Sequence, residues 1–183
     1  MTSTAPHDTT ELARLIRDRA IVRGQVTLSS GATSDHYFDL RRVSLHPRGF
    51  TLIGHAIRHE ARVWHYDAVA GLVLGAVPVA LATMAAARDL GQELPAAAIR
   101  KEAKQHGLGK RIEGTDLTGK RVLLVEDTST TGASTLDAIA AVQAERAEVV
   151  GVVLLVDRGG ADPVAATGIP VRSVFTAADL LGK

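Results

Sequence analysis

Residues 121–135, Arg-Val-Leu-Leu-Val-Glu-Asp-Thr-Ser-Thr-Thr-Gly-Ala-Ser-Thr, place two adjacent carboxylates directly before a run of hydroxyl residues and a glycine. Glu126 and Asp127 are poor phosphate ligands but good acceptors for sugar hydroxyls. Thr128, Ser129, Thr130, Thr131, Gly132, Ala133 and Ser134 are small enough for their backbone N–H groups to turn toward an anion. A helical pattern begins at about Leu136, and a helix N-terminus adds its positive dipole end to such a loop. The apolar run Val122 to Val125 reads as a short buried strand, so the acids stand where that strand should end. In an open parallel sheet, ligands bind outside the carboxyl ends of the strands. A phosphate and a ribose diol side by side specify a phosphoribosyl group. No Gly-Lys-Ser/Thr closes the loop as in a Walker A motif, and no Gly-x-Gly-x-x-Gly of dinucleotide folds is present.

A second cluster, Arg100-Lys101-Glu102-Ala103-Lys104-Gln105-His106-Gly107, gathers three cations and a histidine within seven residues. Alone it is a solvated charged loop. Beside a site for a diphosphate ester it is a donor array for a leaving group that gains negative charge as its bond breaks. Residues 101–115 carry glycines at 107, 109 and 114 and no sustained apolar period, which predicts a mobile loop. Other candidates carry less chemistry. His55 and His59 lie one helical turn apart with no third metal ligand, so a solvated helix face is expected. Trp64, His65 and Tyr66 read as packing or a dimer edge. His36 and Tyr37 are evenly balanced between packing and a base site.

The elements that must position these groups alternate. A capping box, Asp8 with Glu11, predicts a helix over residues 11–20 with Leu12, Leu15, Ile16 and Ile21 on its buried stripe. Residues 25–40 read as a hairpin-like lobe turning at Ser30-Gly31. Helices are expected over residues 46–62 and 79–90, the latter C-capped by Gly91, and over residues 134–147 and 177–181. Strands are expected over residues 67–71, 96–99, 122–125, 149–156 and 171–175. Strands alternating with helices imply an α/β fold, a central and mainly parallel sheet flanked by helices. Residues 1–183 show no repeat and no linker, so a single domain with a loose tail over residues 1–9 is expected.

Composition narrows the partners. Apolar residues make up 46% but aromatic ones 3%, so the core must be built from Ala, Val and Leu, as in a buried parallel sheet. A formal net charge of +1 argues against a general nucleic-acid or membrane-surface binder. The absence of cysteine excludes disulfides, thiolate metal sites and a cysteine nucleophile. The first nine residues lack a basic-then-apolar leader. The weakly polar run over residues 72–87 is too short to cross a bilayer. A soluble, cytoplasmic protein is expected.

The 121–135 segment resembles the 5-phosphoribosyl-1-pyrophosphate (PRPP) motif of type I phosphoribosyltransferases. Arg-Lys-Glu-Ala-Lys-x-His-Gly at 100–107 narrows the likeness, being similar to the catalytic loop of orotate phosphoribosyltransferases. Val26-Thr-Leu-Ser-Ser-Gly31 with Tyr37-Phe-Asp-Leu-Arg41 resembles that family's substrate hood, spanning residues 20–42. The resemblance implies transfer from PRPP to orotate with Mg²⁺, mainly held through PRPP oxygens rather than by a protein metal site. It also implies a homodimer in which one subunit's loop closes over the other's site. Carried over by position, Arg100, Lys101, Lys104 and His106 hold pyrophosphate, and Glu126 and Asp127 face the ribose hydroxyls. Thr128 to Ser134 bind the 5′-phosphate, and Thr130 and Arg158 touch orotate. Lys101, Lys104, His106 and Asp127 are the expected catalytic set. An arginine at 158 suits a carboxylate, which its planar guanidinium pairs by two parallel hydrogen bonds.

Two positions depart from the family pattern. Ser29 stands where many members carry a lysine before the hood Ser-Gly, and residues 72–75 lack the Tyr-Lys that many carry. Retention of all four loop residues still predicts an active enzyme. Two rivals remain: a transferase for another base such as a purine or uracil, and a PRPP-sensing regulator that binds nucleic acid.

Overall fold

The computed structural model describes residues 9–27, 33–102 and 110–182. Helix α1 (Thr10–Arg19) leads into a two-stranded antiparallel sheet of β1 (Ile21–Thr27) and β2 (Thr33–Phe38). Short α2 (Arg41–Ser44) and long α3 (Pro47–Ala61) follow, then β3 (Ala68–Leu72), α4 (Ala76–Arg88), β4 (Ala96–Ile99) and β5 (Ile112–Gly114). The second half comprises β6 (Arg121–Ser129), α5 (Ala133–Ala144), β7 (Glu148–Asp157), α6 (Ala161–Ala165), β8 (Val171–Thr176) and α7 (Ala177–Leu181).

The main sheet has the order β5-β4-β3-β6-β7-β8, parallel except for β5 at its edge. It is buried on both faces, and strand alternation sorts the core. Leu123 and Val125 of β6 join the cluster that holds Ile16 of α1, Ile53 of α3 and Val79 of α4. Val122 and Leu124 point the other way, toward Ile139 and Val142 of α5. With few aromatic residues, close contact is achieved by small ones. A Cβ at Gly54 of α3 would stand 2.2 Å from the Ala82 carbonyl oxygen of α4, so these helices meet backbone to backbone. At the sheet, the Trp64 ring lies over Gly151 of β7, where a Cβ would come within 2.6 Å of it. Trp64 and Tyr66 therefore pack on the core, while His65 is exposed.

Several expectations change. The hairpin starts at Ile21, which belongs to β1 rather than to the α1 stripe, although it still packs on the core. Its expected turn at Ser30-Gly31, like Asp8 of the expected capping box, lies outside the described residues. Thr9 occupies the α1 N-cap without a side-chain cap bond, and Glu11 instead accepts a 2.8 Å hydrogen bond from Arg48 Nε. Helix α4 begins three residues early because Pro78 falls in its first turn, where a missing N–H costs nothing. It ends at Arg88, whose carbonyl accepts from Gly91 N at 2.8 Å, with Gly91 in the left-handed region at φ +71°. The loop expected over residues 101–115 includes β5, since Ile99 and Ile112 pair in register. Strand β6 does not stop at the acids but runs on to Ser129, because β7 stays paired with it as far as Asp157. No helix among the described residues is long and apolar enough to cross a membrane.

Gly54→Ala tests the backbone contact of α3 with α4. It is expected to cost about 1–3 kcal/mol through overpacking, against the better helix propensity of alanine. The readout is a lower urea midpoint at unchanged slope; an equal or higher midpoint would mean that the helices accept the methyl group.

Candidate active site

Strand order decides where the site lies. From β3 the chain crosses to β4 on one side and later returns to β6 on the other, so the carboxyl ends of β3 and β6 flank the point where the winding reverses. A cavity of about 300 Å³ opens there. Its walls are the 72–75 segment after β3, the end of β6, and Tyr37, Phe38, Leu40 and Arg41 beneath the small sheet. A larger groove, about 530 Å³, runs between the end of α4 and the start of β4. Met84, Leu94 and Pro95 line it with only Arg88 and Glu93 for charge, so its size is not matched by chemistry.

Glu126 and Asp127 occupy β6 just past Val125, the last residue that pairs with β3. Glu126 is 6% exposed and Asp127 is half-buried. Burial, and then the charge of Asp127, raise the Glu126 carboxyl well above the ordinary glutamate range, while Lys101 acts in the opposite sense. The Asp127 backbone N–H donates to Glu126 Oε1 at 3.3 Å. The Asp127 carboxylate lies against Gly75, where a Cβ would come within 2.3 Å of Oδ2, so a side chain there would push that carboxylate aside. The peptide between Val73 and Leu74 in this wall is cis.

Beyond β6 the chain turns through Thr130 and Thr131, both exposed, to Gly132 at φ +75°, the N-cap of α5. Ala133 N donates to Thr131 Oγ1 at 3.4 Å, and Ala133 and Ser134 stand exposed at the first turn of the helix. The Thr128 hydroxyl is buried and has no hydrogen-bond partner among the described residues. Ser129 turns inward: a Cβ at Gly160 would meet its Oγ at 2.1 Å, and Oγ lies 3.5 Å from Thr135 Oγ1. Its carbonyl accepts from Arg158 N at 2.9 Å.

Arg158 follows β7 in a turn that Asp157 organises, Oδ1 accepting from Gly159 N at 2.9 Å and from Ala161 N at 3.2 Å. Its guanidinium sits 5.2 Å from the Phe38 ring centroid, a cation–π contact joining the main sheet to the small one. Burial lowers its proton affinity, and Tyr37 acts against that shift.

Of the residues expected from sequence, Lys101, Glu126, Asp127, Thr128 and Ser134 line one cavity, with Thr130 to Ala133 on the adjoining turn. Arg100 does not join them: its Nη1 is 3.7 Å from Glu113 Oε1 on β5. Lys104 and His106 lie outside the described residues. Sequence reasoning missed Leu40 and Arg41 as lining groups and Gly160 and Thr135 as the support of Ser129. Arg41 was visible within Tyr-Phe-Asp-Leu-Arg; Gly160 carried no signal. The carboxylate pair and open cavity supply hard oxygen donors, with no third His, Asp or Glu gathered beside them among the described residues. That set fits a magnesium ion delivered on phosphate oxygens better than an ion caged by protein.

Residues 43–168 match the family model described as a phosphoribosyl transferase domain. The orotate phosphoribosyltransferase of Corynebacterium glutamicum is 55% identical over 172 residues, covering 93% of this chain and 92% of that protein. The Mycobacterium leprae protein of the same name is 50% identical over 175 residues, covering 94% and 96%. Among solved structures, Mycobacterium tuberculosis orotate phosphoribosyltransferase in complex with PRPP superposes with a TM-score of 0.81 at 47% identity, covering 96% of this chain and 99% of that one.

The raised proton affinity of Glu126 has a signed consequence. Between the unfolded and folded pKa values the folded chain binds the extra proton, so its stability falls as pH rises through that window. Glu126→Gln is therefore expected to raise the melting temperature of the ligand-free protein more at pH 8 than at pH 5. A gain that is equal at both pH values, or absent, would mean that Glu126 is not held protonated by its surroundings.

Proposed function

The chain belongs to the orotate phosphoribosyltransferases, and from that membership we propose how its residues share the reaction. The reaction moves the phosphoribosyl group of PRPP to orotate, giving orotidine 5′-monophosphate and pyrophosphate in pyrimidine biosynthesis. The observation that carries the assignment of roles is the meeting of an acidic pair and a helix-capping turn in one cavity at the reversal of strand order.

Backbone N–H groups of residues 130–134 receive the 5′-phosphate, with the Thr130, Thr131 and Ser134 hydroxyls beside them. Ser129 serves this turn as a support, its hydroxyl being spent against Gly160 and Thr135. Glu126 and Asp127 accept the ribose hydroxyls, and the charge of Asp127 favours the positive character that develops on the sugar. Arg158, steadied over Phe38, pairs with the orotate carboxylate, and Thr130 completes that contact. The bond from the anomeric carbon to pyrophosphate breaks with both electrons leaving on oxygen, while an orotate ring nitrogen, its proton given up to solvent, bonds to the opposite face. The ribose passes through an oxocarbenium-like state, as in glycosyl transfer generally. Lys101, Lys104 and His106, joined by Arg100 on closure, stabilise the departing charge or protonate it. Closure of the segment between Lys101 and β5 keeps out the water that would trap the sugar cation. The Asp127 and Glu126 oxygens and the PRPP phosphates would hold a Mg²⁺ ion here, which would supply neutralisation of the diphosphate charge.

The acting unit is a homodimer in the cytoplasm, and residues 1–183 form one domain with residues 20–42 as its hood. The outer face of α4 supports pairing: Leu81 is 39% exposed on it and Leu74, just before it, is 68% exposed beside the cavity. A second chain seated there would stand next to the site.

Loss of orotate ultraviolet absorbance on adding PRPP and Mg²⁺ is the direct assay. Lys104→Ala is expected to lower turnover about 100-fold or more, the scale of a lost transition-state donor; unimpaired turnover would remove Lys104 from the chemistry, and turnover with another base alone would overturn the orotate assignment. For the dimer, Leu81→Glu is expected to halve the mass measured by light scattering, whereas an unchanged two-chain mass would put the interface elsewhere.

A further inference from the structure

Arg41 stands across the cavity from the acidic pair and has no role in the scheme above. It opens α2 directly after the small sheet and lines the same cavity as Lys101, Asp127 and the 73–75 segment. Its Nε donates to Asp39 Oδ1 at 2.8 Å, while the other Asp39 oxygen lies 3.3 Å from Arg42 Nε. Asp39 is itself fixed, its backbone N–H donating to the Ala20 carbonyl at 2.8 Å. Arg41 thus has a clamped Nε, and its two terminal nitrogens have no hydrogen-bond partner among the described residues. Its side chain is 42% exposed, so the guanidinium reaches the solvent of the cavity. Asp39, then Tyr37 and Asp127, favour its charged form.

PRPP carries its 5′-phosphate and its diphosphate at opposite ends of the ribose. With the first on the 130–134 turn and the hydroxyls on Glu126 and Asp127, the diphosphate must project toward the remaining wall. That wall is the 72–75 segment, Leu-Val-Leu-Gly, which offers no cation, together with Arg41 and Lys101. The Asp127 carboxylate already faces the space beside the buried Glu126, so an entering diphosphate needs every cation the wall can supply. We infer that Arg41 binds the diphosphate of PRPP, its terminal guanidinium nitrogens meeting phosphate oxygens while Asp39 holds the side chain in place. The inference rests on the reading of this cavity as the PRPP site. It would also make up for the cations that the family resemblance leads one to expect at Ser29 and within residues 72–75.

Three variants, Arg41→Gln, Arg41→Lys and Arg42→Gln, separate the outcomes by steady-state kinetics and by calorimetric titration with Mg²⁺-pyrophosphate. Arg41→Gln is expected to raise the KM for PRPP and the Kd for pyrophosphate about tenfold or more, the scale of one charged hydrogen-bonded contact. Arg41→Lys recovers part of that loss, the KM for orotate stays within about twofold, and Arg42→Gln matches the wild type. A rise confined to the KM for orotate would move Arg41 to the base site and overturn the inference, as would unchanged PRPP and pyrophosphate affinity. Should Arg41→Gln not fold, Arg41→Lys decides alone: wild-type affinity for pyrophosphate overturns the inference, a several-fold loss upholds it. Wild-type protein that consumes no orotate would sink the underlying reading and the inference with it.

Discussion

A stagger between strands governs this site: β6 outruns β3 but not β7. Pairing with β3 ends at Val125, whereas pairing with β7 continues to Ser129. Glu126, Asp127 and Thr128 therefore sit on backbone that is hydrogen-bonded on the β7 side and open on the other. A β3 strand of equal length would fill the cavity with its own ladder. A shorter β7 would leave the acids on an unsupported loop. Parallel strands bring both ends to the same edge, and the reversal of strand order keeps a crossover helix from covering the gap. Gly75 completes the arrangement by letting the 72–75 segment lie flat against the Asp127 carboxylate.

That geometry concentrates like charge where water is scarce, and the folded chain bears the cost. Glu126 is buried beside Asp127, with one backbone N–H from Asp127 and the more distant charge of Lys101 as its relief. In the proposed reading the remedy lies in the ligand: ribose hydroxyls would donate to the acids, and the phosphates would recruit the surrounding cations. The cations are held ready by different means. Arg158 rests on the Phe38 ring, Arg41 is gripped by Asp39, and both are oriented before any anion arrives. Preorganised groups of this kind lose little freedom on binding, which makes their charge effective.

Much of this was legible in residue order. The apolar run, the acids and the small hydroxyl turn announced both the parallel sheet and the ligand chemistry, because each depends on residue type within a few positions. What escaped depends on neighbours far along the chain. The extension of β6 through Thr128 and Ser129 comes from β7, since a Glu-Asp-Thr-Ser stretch has no strand pattern of its own. Ser129 looked like a phosphate ligand beside Thr130 and Thr131, yet the room left by Gly160 draws its hydroxyl inward. Strand β5 is three residues in a charged stretch, and only its register with β4 makes it a strand. Arg41 was read as part of the hood, and its direction is set by Asp39 and the turn into α2.

The same edge pairing explains how a cation-bearing segment can serve a rigid site. Arg100 N donates to the Arg111 carbonyl at 2.8 Å, and Arg111 Nε returns a bond to the Arg100 carbonyl at 3.1 Å. Departure and return of the chain between them are thereby fixed at adjacent points, so the entropy of closing that loop is already met by the sheet. Arg111 reaches further, its Nη2 donating to Asp137 Oδ2 of α5 at 2.6 Å. The return point is thus fastened to α5, the helix that Gly132 caps at the end of the Thr130–Thr131 turn. Lys101 shares the cavity with the acids at the departing end, and the segment that carries Lys104 and His106 begins there. The sheet thus separates two parts of the site: β6, β7 and α5 hold the acids and the capping turn still, while the backbone pairing of Arg100 with Arg111 fixes where the segment that carries Lys104 and His106 leaves and rejoins it.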